Sequence, residues 1–190
     1  MTVKSKLLAL GLAGQGMILS SCSTSKQNAF EITQAELEQS SKNAASIDSQ
    51  KEKIESTIKL FRESFSSYEK ETLLPALSKL YADKAFLNDR IQLHKGVKEI
   101  ESYFAKTFDK VESARFDMLE VTYGAKDAYV RWDMHIKTKS SDKYWTFPGM
   151  SQLRFDEEGK IIFHFDHWDY AQLLEKFPGI GGIIRYTRSL

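Results

Sequence analysis

The side chains best suited to acid–base chemistry lie near the end of the chain, in a segment that closes on Trp168. Because side chains of a β-strand alternate between its two faces, a strand here places His164 and Asp166 on one face and His167 on the other. Ile162 and Trp168 belong to the face of His164. A carboxylate two residues from an imidazole can orient it or hold it charged, which is an arrangement for proton transfer. The alternative is a satisfied hydrogen bond with a purely structural role.

Other catalytic chemistries have little support in the sequence. No His-x-x-x-His pair occurs at helical spacing, and neither His94 nor His135 has an evident partner, so no metal site is predicted. No serine lies in a glycine-flanked nucleophile elbow. The glycines between Gly179 and Gly182 lack the strand–turn–helix context of a phosphate-binding loop. Neither a metal nor a cofactor is therefore expected.

The single cysteine follows a short apolar segment at the start of the chain. Lys4 and Lys6 precede residues 7–19, an apolar stretch too short to span a bilayer and typical of an export signal. The string Leu19-Ser20-Ser21-Cys22 resembles the lipobox of bacterial lipoproteins. This resemblance implies cleavage before Cys22 and a lipid on its sulfur, since the thiolate is the nucleophile. The alternative is an ordinary secretory signal with an incidental cysteine.

The same segment predicts where the protein resides. Ser23 rather than an aspartate follows Cys22, which by resemblance to proteobacterial lipoproteins favours the outer membrane, facing the periplasm. Removal of residues 1–21 leaves 169 residues with a formal charge of −1, because two lysines leave with the signal. No basic run supports nucleic-acid binding, and no second cysteine is available for a disulfide. Residues 22–50 are polar and predict a flexible tether that carries the lipid, with a transient helix over about 31–41.

Residues 51–190 have the pattern of a single domain in which helices precede strands. The spacing of apolar residues predicts a helix over 51–68, a second that starts at Thr72 as its N-cap, and a third after Gly96. A short strand is expected at 81–89. After Lys110 the hydrophobic period changes from 3.6 to 2. Strands are predicted there at 115–123, 126–137, 143–156 and 160–168, and a short helix from Ala171. This order predicts an α+β domain with a C-terminal helical tail.

Two strings in this order resemble the nuclear transport factor 2-like superfamily, which includes ketosteroid isomerase and SnoaL-type polyketide cyclases. The first is Leu-Tyr-Ala-Asp-Lys-Ala-Phe-Leu-Asn-Asp at 80–89, followed by Gly96-Val97. The second spans 149–161 and closes on His-Phe-Asp-His-Trp-Asp at 164–169. The resemblance covers about residues 52–170. It implies a cone-shaped, curved antiparallel sheet wrapped on three N-terminal helices, a cystatin-like roll, with a pocket at one end.

The resemblance also implies roles for individual residues. Asp89 matches the aspartate that abstracts the proton in ketosteroid isomerase, and a partly desolvated carboxylate is a suitable general base. The alternative is an exposed turn residue. The oxyanion donors of that enzyme have no match, because Ser151 and a phenylalanine, Phe61 or Phe65, stand in their places. Steroid isomerisation is therefore not expected. A tryptophan that matches Trp168 lines the isomerase pocket. The resemblance therefore implies that the strand face that carries Trp168 points into the pocket.

Three functions stay open on this basis. The preferred one is a lipid-anchored protein that binds a small hydrophobic molecule in the cone. Its expected contacts are Trp132, Met134, Ser151 and Trp168. The second is a cofactor-free isomerase, cyclase or dehydratase, in which Asp89, or Asp166 with His164, transfers the proton. The third is an envelope interaction module, whose cone is filled by its own side chains. The outer face of its sheet would then bind a partner protein. Relatives often use that face to form homodimers.

Overall fold

The computed structural model describes residues 28–139, 142–177 and 179–190. Cys22 and the predicted export signal lie outside these ranges. The helices are α1 (Ala29–Ser40), α2 (Lys51–Ser67), α3 (Lys70–Leu80), α4 (Val97–Thr107), α5 (Tyr170–Leu174) and α6 (Ile180–Arg188). The strands are β1 (Tyr81–Asn88), β2 (Leu93–Lys95), β3 (Val111–Tyr123), β4 (Asp127–Thr138), β5 (Trp145–Phe155) and β6 (Ile161–Trp168). Of the helices in these ranges, none combines the length and the apolarity that crossing a bilayer requires.

One curved sheet organises the domain. Its six strands lie in the order β2-β1-β6-β5-β4-β3, with β1 and β6 parallel and every other pair antiparallel. Helices α2, α3 and α4 pack on its concave inner face, where their apolar side chains and those of β1, β4, β5 and β6 form the core. The predicted α+β class, with a sheet wrapped on three helices, is confirmed.

Helical periodicity accounts for the inner helices. In α2, Ile54, Ile58 and Phe61 are buried at helical spacing, as the sequence predicted. Helix α3 begins earlier than predicted, because α2 ends with Tyr68 in the left-handed conformation and the next residue, Glu69, is the extended N-cap. Thr72 therefore lies inside the first turn, and the prediction that it caps the helix is wrong.

A β-bulge interrupts the alternation of β6. Strand β5 pairs Arg154 with Phe163 and Phe155 with Ile161, which leaves Ile162 as the extra residue. Ile161 lies in the core, whereas Ile162 lies against α1 on the other side of the sheet. The prediction that Ile162 shares the inner face is therefore wrong. The residues after the bulge keep the predicted alternation.

Helix α1 covers part of the outer face of the sheet, in a segment for which the sequence predicted a flexible tether. The helix begins with a capping box, in which Asn28 and Glu31 each accept a hydrogen bond from the other's backbone N–H. The buried Asn88 Nδ2 donates to Thr33 Oγ1 over 2.8 Å. After the helix, Ala45 and Ile47 are buried. The structure thus differs from the tether prediction over residues 28–50.

A buried arginine fixes the end of α1 to the sheet. Arg154 donates to both carboxylate oxygens of Asp127, over 2.6 and 2.9 Å, and its third nitrogen reaches the end of α1. That nitrogen, Nη1, donates to the Leu37 carbonyl at 2.8 Å, Ser40 Oγ at 3.1 Å and Ser41 Oγ at 2.6 Å. The Arg154 and Asp127 side chains are only 8% and 12% exposed. A charge pair buried this deeply is tolerated because each partner satisfies the other.

We expect Arg154→Met to destabilise the protein by about 3–5 kcal/mol, because it leaves the Asp127 carboxylate buried without a counter-charge. Urea unfolding measures the loss, and amide hydrogen exchange should show earlier exchange within α1. The control is Arg131→Met, which removes an exposed arginine 3.5 Å from Glu120 on the same outer face and should change stability by less than about 1 kcal/mol. Equal losses in the two variants would show that the buried pair does not hold α1.

Candidate functional site

The inner face of the sheet and helices α2 and α4 enclose a cavity of about 180 Å³ at one end of the cone. Its aromatic lining consists of Phe61, Phe65, Tyr68, Tyr103, Phe104, Phe116, Trp132 and Trp168. Its polar and charged lining consists of Asp89, Thr107, Lys110, Ser151, His164 and Asp166. Met134 and Leu173 of α5 also contribute. The structure therefore brings together all seven residues that the sequence nominated for catalysis or ligand contact.

A glycine gives Trp132 its place in the wall. Trp132 of β4 is paired with Gly149 of β5, and its indole ring lies across the glycine so closely that a Cβ there would overlap the ring. The indole N–H then points along β5 and donates to Ser151 Oγ over 3.0 Å. A side chain at position 149 would displace the ring and break this hydrogen bond. The glycine is thus required by packing, not by backbone conformation.

A series of hydrogen bonds runs across the sheet from this indole on β4, through β5 and β6, to β1. Ser151 Oγ lies 2.5 Å from Asp166 Oδ1, and His164 Nε2 lies 2.8 Å from the same oxygen. The other imidazole nitrogen, Nδ1, lies 2.7 Å from the hydroxyl of Tyr81, which is fully buried. The predicted proximity of His164 and Asp166 is therefore observed, and the pair is held from both sides.

The chemistry of the end groups determines which atom donates in each bond. The Trp132 indole can only donate, so Ser151 uses its own proton toward Asp166. The Tyr81 hydroxyl has His164 as its one hydrogen-bond partner among the described residues, so its proton goes to Nδ1. The imidazole is then neutral and donates from Nε2. Every proton in the series is used when Asp166 is ionised, because its Oδ1 accepts twice.

The second oxygen of Asp166, Oδ2, takes no part in these hydrogen bonds and is therefore the reactive atom of the carboxylate. Oδ2 has no hydrogen-bond partner within the described part of the chain, while the carboxylate lines the cavity and is 17% exposed. An ionised carboxylate in this position can accept a proton or pair with a cation. The arrangement therefore supplies one fixed negative charge to an otherwise apolar wall.

Asp89 is held more tightly than a general base requires. Its Oδ1 accepts hydrogen bonds from the backbone N–H of Ile91 at 2.9 Å and of Gln92 at 2.8 Å, while Oδ2 accepts the Tyr103 hydroxyl. Burial raises the pKa of Asp89, and the nearby charge of Asp166 raises it further, whereas the hydrogen bonds from Tyr103 and the backbone oppose the rise. Asp89 thus acts both as the turn residue that the sequence offered as one alternative and as a cavity carboxylate.

The sequence did not predict three tyrosines that belong to this site or support it. Tyr68 donates to Thr107 over 3.0 Å, because the Thr107 hydroxyl is itself committed to a backbone carbonyl, and burial raises the pKa of Tyr68 to about 12. Tyr103 holds Asp89, and Tyr81 holds His164. The helical spacing of α2 already placed Tyr68 on the inner face, so that signal could have identified it. Nothing in the pattern of β1 distinguishes Tyr81 from a core residue.

Of the remaining histidines, His94 stacks on the cavity residue Tyr103, with ring centroids 4.3 Å apart, whereas His135 and His167 lie apart from this site. His167 is exposed on the outer face, 3.4 Å from the Gln152 side chain. His135 bonds to Asp117 and to Thr146, each at 2.9 Å, so it does have partners that the sequence did not show. Within the described ranges, no group of three or more His, Cys, Asp or Glu side chains is placed to hold a metal ion.

Comparison with protein families identifies this domain. A family model of the SnoaL-like domain matches residues 61–164, which is more than half of the chain. The chain belongs to the SnoaL-like domain family. The match begins in α2 and ends in β6 at residue 164, so it covers most of the cavity lining but not Asp166, Trp168 or Leu173 of α5. None of the curated proteins matches this SnoaL-like chain in sequence.

Solved structures share the fold of this SnoaL-like domain at low identity. A protein of ketosteroid isomerase-like fold from Catenulispora acidiphila, solved in complex with trimethylamine, is 14% identical, with a TM-score of 0.54 over 62% of this chain and 88% of that one. A candidate SnoaL-like polyketide cyclase from Jannaschia is 12% identical, with a TM-score of 0.59 over 68% and 94%. An epoxide hydrolase-like enzyme of Mycobacterium tuberculosis is 10% identical, with a TM-score of 0.52 over 64% and 85%. At these identities the likeness concerns the fold alone.

The raised pKa of Asp89 predicts how stability changes with pH. The folded protein binds this proton more tightly than the unfolded chain, whose value is near 3.8, so stability is lost as pH rises through the raised pKa. Asp89→Asn removes the titration, and its melting temperature relative to the parent should therefore increase between about pH 4 and about pH 7. Differential scanning calorimetry measures both proteins.

The matched control for this change is Asp83→Asn, at an exposed aspartate of β1, the strand that precedes Asp89. Its melting temperature should stay parallel to that of the parent over the same pH range. A difference between Asp89→Asn and the parent that does not change with pH would contradict the raised pKa.

Proposed function

We propose that this protein is a lipid-anchored binding protein of the cell envelope, whose SnoaL-like domain holds a small hydrophobic molecule in its cone. The observation that supports this function best is the cavity itself. Its walls are mostly aromatic and aliphatic, with a few polar groups that converge on it, which is the usual composition of a site for a small molecule. A cone filled by its own side chains, as an interaction module would have, does not describe this domain.

The volume limits the ligand. About 180 Å³ is smaller than the several hundred Å³ of a site for a drug-sized molecule and close to the roughly 150 Å³ of an engineered apolar cavity that takes benzene. A body of one or two rings therefore fits, and a four-ring steroid does not. The relative from Catenulispora acidiphila, whose complex contains trimethylamine, also holds a ligand of small size.

Anchoring by a lipid on Cys22 rests on the string Leu19-Ser20-Ser21-Cys22 and belongs to the same proposal. The first described residue, Asn28, is six residues further along the chain. Even a fully extended chain spans only about 20 Å over six residues, at roughly 3.3–3.6 Å each. A lipid at Cys22 would therefore keep α1, and the outer face of the sheet that it covers, near the membrane. Location at the outer membrane, facing the periplasm, remains a prediction from Ser23.

The test is native mass spectrometry of the purified full chain, followed by organic extraction of what it carries. We expect one small molecule per chain. Met134→Trp should abolish its retention, because the larger side chain of this lining residue fills the cavity. The matched control is Met150→Trp, which makes the same change on the opposite face of the sheet, next to Arg131, and should retain the molecule. A parent chain that arrives empty and takes up nothing from an envelope extract would contradict the proposal.

A second candidate function, a cofactor-free acid–base enzyme, is favoured by the open oxygen of Asp166. The carboxylate faces an apolar cavity, and His164 and Tyr81 stand behind it as further proton-carrying groups. Such an arrangement suits removal of a proton from a bound molecule, as in an isomerase, cyclase or dehydratase. Asp166 is the better base of the two cavity carboxylates, because both oxygens of Asp89 are already occupied.

With the extracted molecule, or a derivative of it, as substrate, Asp166→Asn should lower kcat by about 10²–10⁴-fold, the usual contribution of a general base. Asp89→Asn should have the smaller effect. Asp133→Asn, on the outer face of β4, removes the same charge away from the cavity and serves as the control. Turnover that is unchanged in Asp166→Asn would exclude Asp166 as the base. No turnover by the parent chain would contradict the enzymatic function and leave the binding function in place.

A further inference from the structure

The charges around the cavity are unevenly distributed. Asp166 contributes an ionised carboxylate from the wall, and Asp89 contributes a second one from the loop after β1. Lys110 is the only lysine or arginine among the described lining residues, and it is exposed. The part-buried charges that face a ligand are therefore negative, while the single positive side chain has access to water.

The excess of negative charge around the cavity matters because the Asp166 carboxylate is largely buried. The Asp166 carboxylate lines a cavity composed mainly of rings, and its side chain is only 17% exposed, so its charge is only partly hydrated. The hydrogen bonds of the wall cannot relieve it, because Ser151 and His164 both direct their protons to Oδ1. A partner for Oδ2 therefore comes from water or from another molecule in the cavity.

The aromatic lining favours the same kind of partner. Rings carry a negative electrostatic potential over their faces, and groups of rings around a cavity are a known means of binding ammonium groups. Phe61, Phe65, Phe116 and Trp132 belong to this lining, together with the ring of Tyr68. Carboxylate and aromatic faces together attract a cation and do not attract an anion.

We infer that the molecule bound in the cone is a small organic cation, a protonated or quaternary amine on an apolar body of one or two rings. The inference rests on the proposed binding function and adds its chemical class. The ammonium group lies against Asp166 Oδ2, and the apolar body lies among the rings. A neutral ligand could at most donate a hydrogen bond to Oδ2 and would leave its charge without a counter-charge. An acid would add a third negative charge, with only Lys110 to balance it.

Isothermal titration of the purified full chain with three probes of similar size tests the charge. The probes are benzylamine, benzyl alcohol and benzoate, which are cationic, neutral and anionic at neutral pH. We expect benzylamine to bind about tenfold more tightly than benzyl alcohol or better, and benzoate to bind most weakly. This ranking on the unaltered chain requires no variant, so it stands even where a substitution prevents folding.

Two variants then locate the charge. Asp166→Asn should reduce the preference for benzylamine over benzyl alcohol to within about threefold, whereas Asp133→Asn, with the same loss of charge on the outer face, should preserve it. Equal binding of all three probes to the parent would overturn the inference of a cation and leave the proposed binding function standing. A preference for benzoate would also overturn it and assign recognition to Lys110. No binding of any probe up to millimolar concentration would overturn the inference, while the proposed function would still be decided by the native mass spectrometry of the parent chain.

Discussion

The carboxylate of Asp166 is an ionised group in the wall of an apolar cavity, and much of the inner architecture is arranged around it. One of its oxygens accepts hydrogen bonds from Ser151 and His164, and each of these donors is oriented by a further buried group, Trp132 or Tyr81. A charge in such surroundings is stable only when it is hydrogen-bonded, and a network of this kind is costly to leave half-satisfied. The positions of four strands, β1, β4, β5 and β6, are therefore coupled through one atom.

Pairing within the sheet makes this coupling geometrically feasible. Strand β6 lies between β1, which runs parallel to it, and β5, which runs antiparallel, so its inner face is flanked by residues from both neighbours. The register places Ser151 directly opposite Asp166 and the glycine at position 149 opposite Trp168. The bulge at Ile162 shifts the earlier part of the strand by one residue, which lets both Ile161 and His164 face inward. Core packing and the polar network thus share one strand without competing for the same positions.

The outer face of the same sheet is stabilised by a different principle. Helix α1 buries few apolar side chains and is held instead by Arg154, by the Asn88 amide and by backbone hydrogen bonds that continue from Ala45 to Ile47. Charged and polar groups of the sheet that would otherwise need water are satisfied by the helix end. One consequence is that the part of the outer face beneath α1 is no longer available to a second copy of the chain, while the outer face of β3 and β4 stays open to such a contact.

The sequence alone was sufficient to predict the α+β class, the three inner helices, the four long strands and seven of the residues that line the cavity. These follow from apolar periodicity and from strings that resemble the family. It indicated only a transient helix over about 31–41 and not the docked α1, since this helix is held by hydrogen bonds and its composition is that of a linker. It also could not show that Tyr81 contacts His164, that both oxygens of Asp89 are occupied, or that Asp166 keeps one open. These depend on strand register, on a bulge and on contacts between residues more than eighty positions apart, as between Tyr81 and His164. Local pattern determines which face a side chain occupies, whereas only the assembled sheet determines which atom it meets.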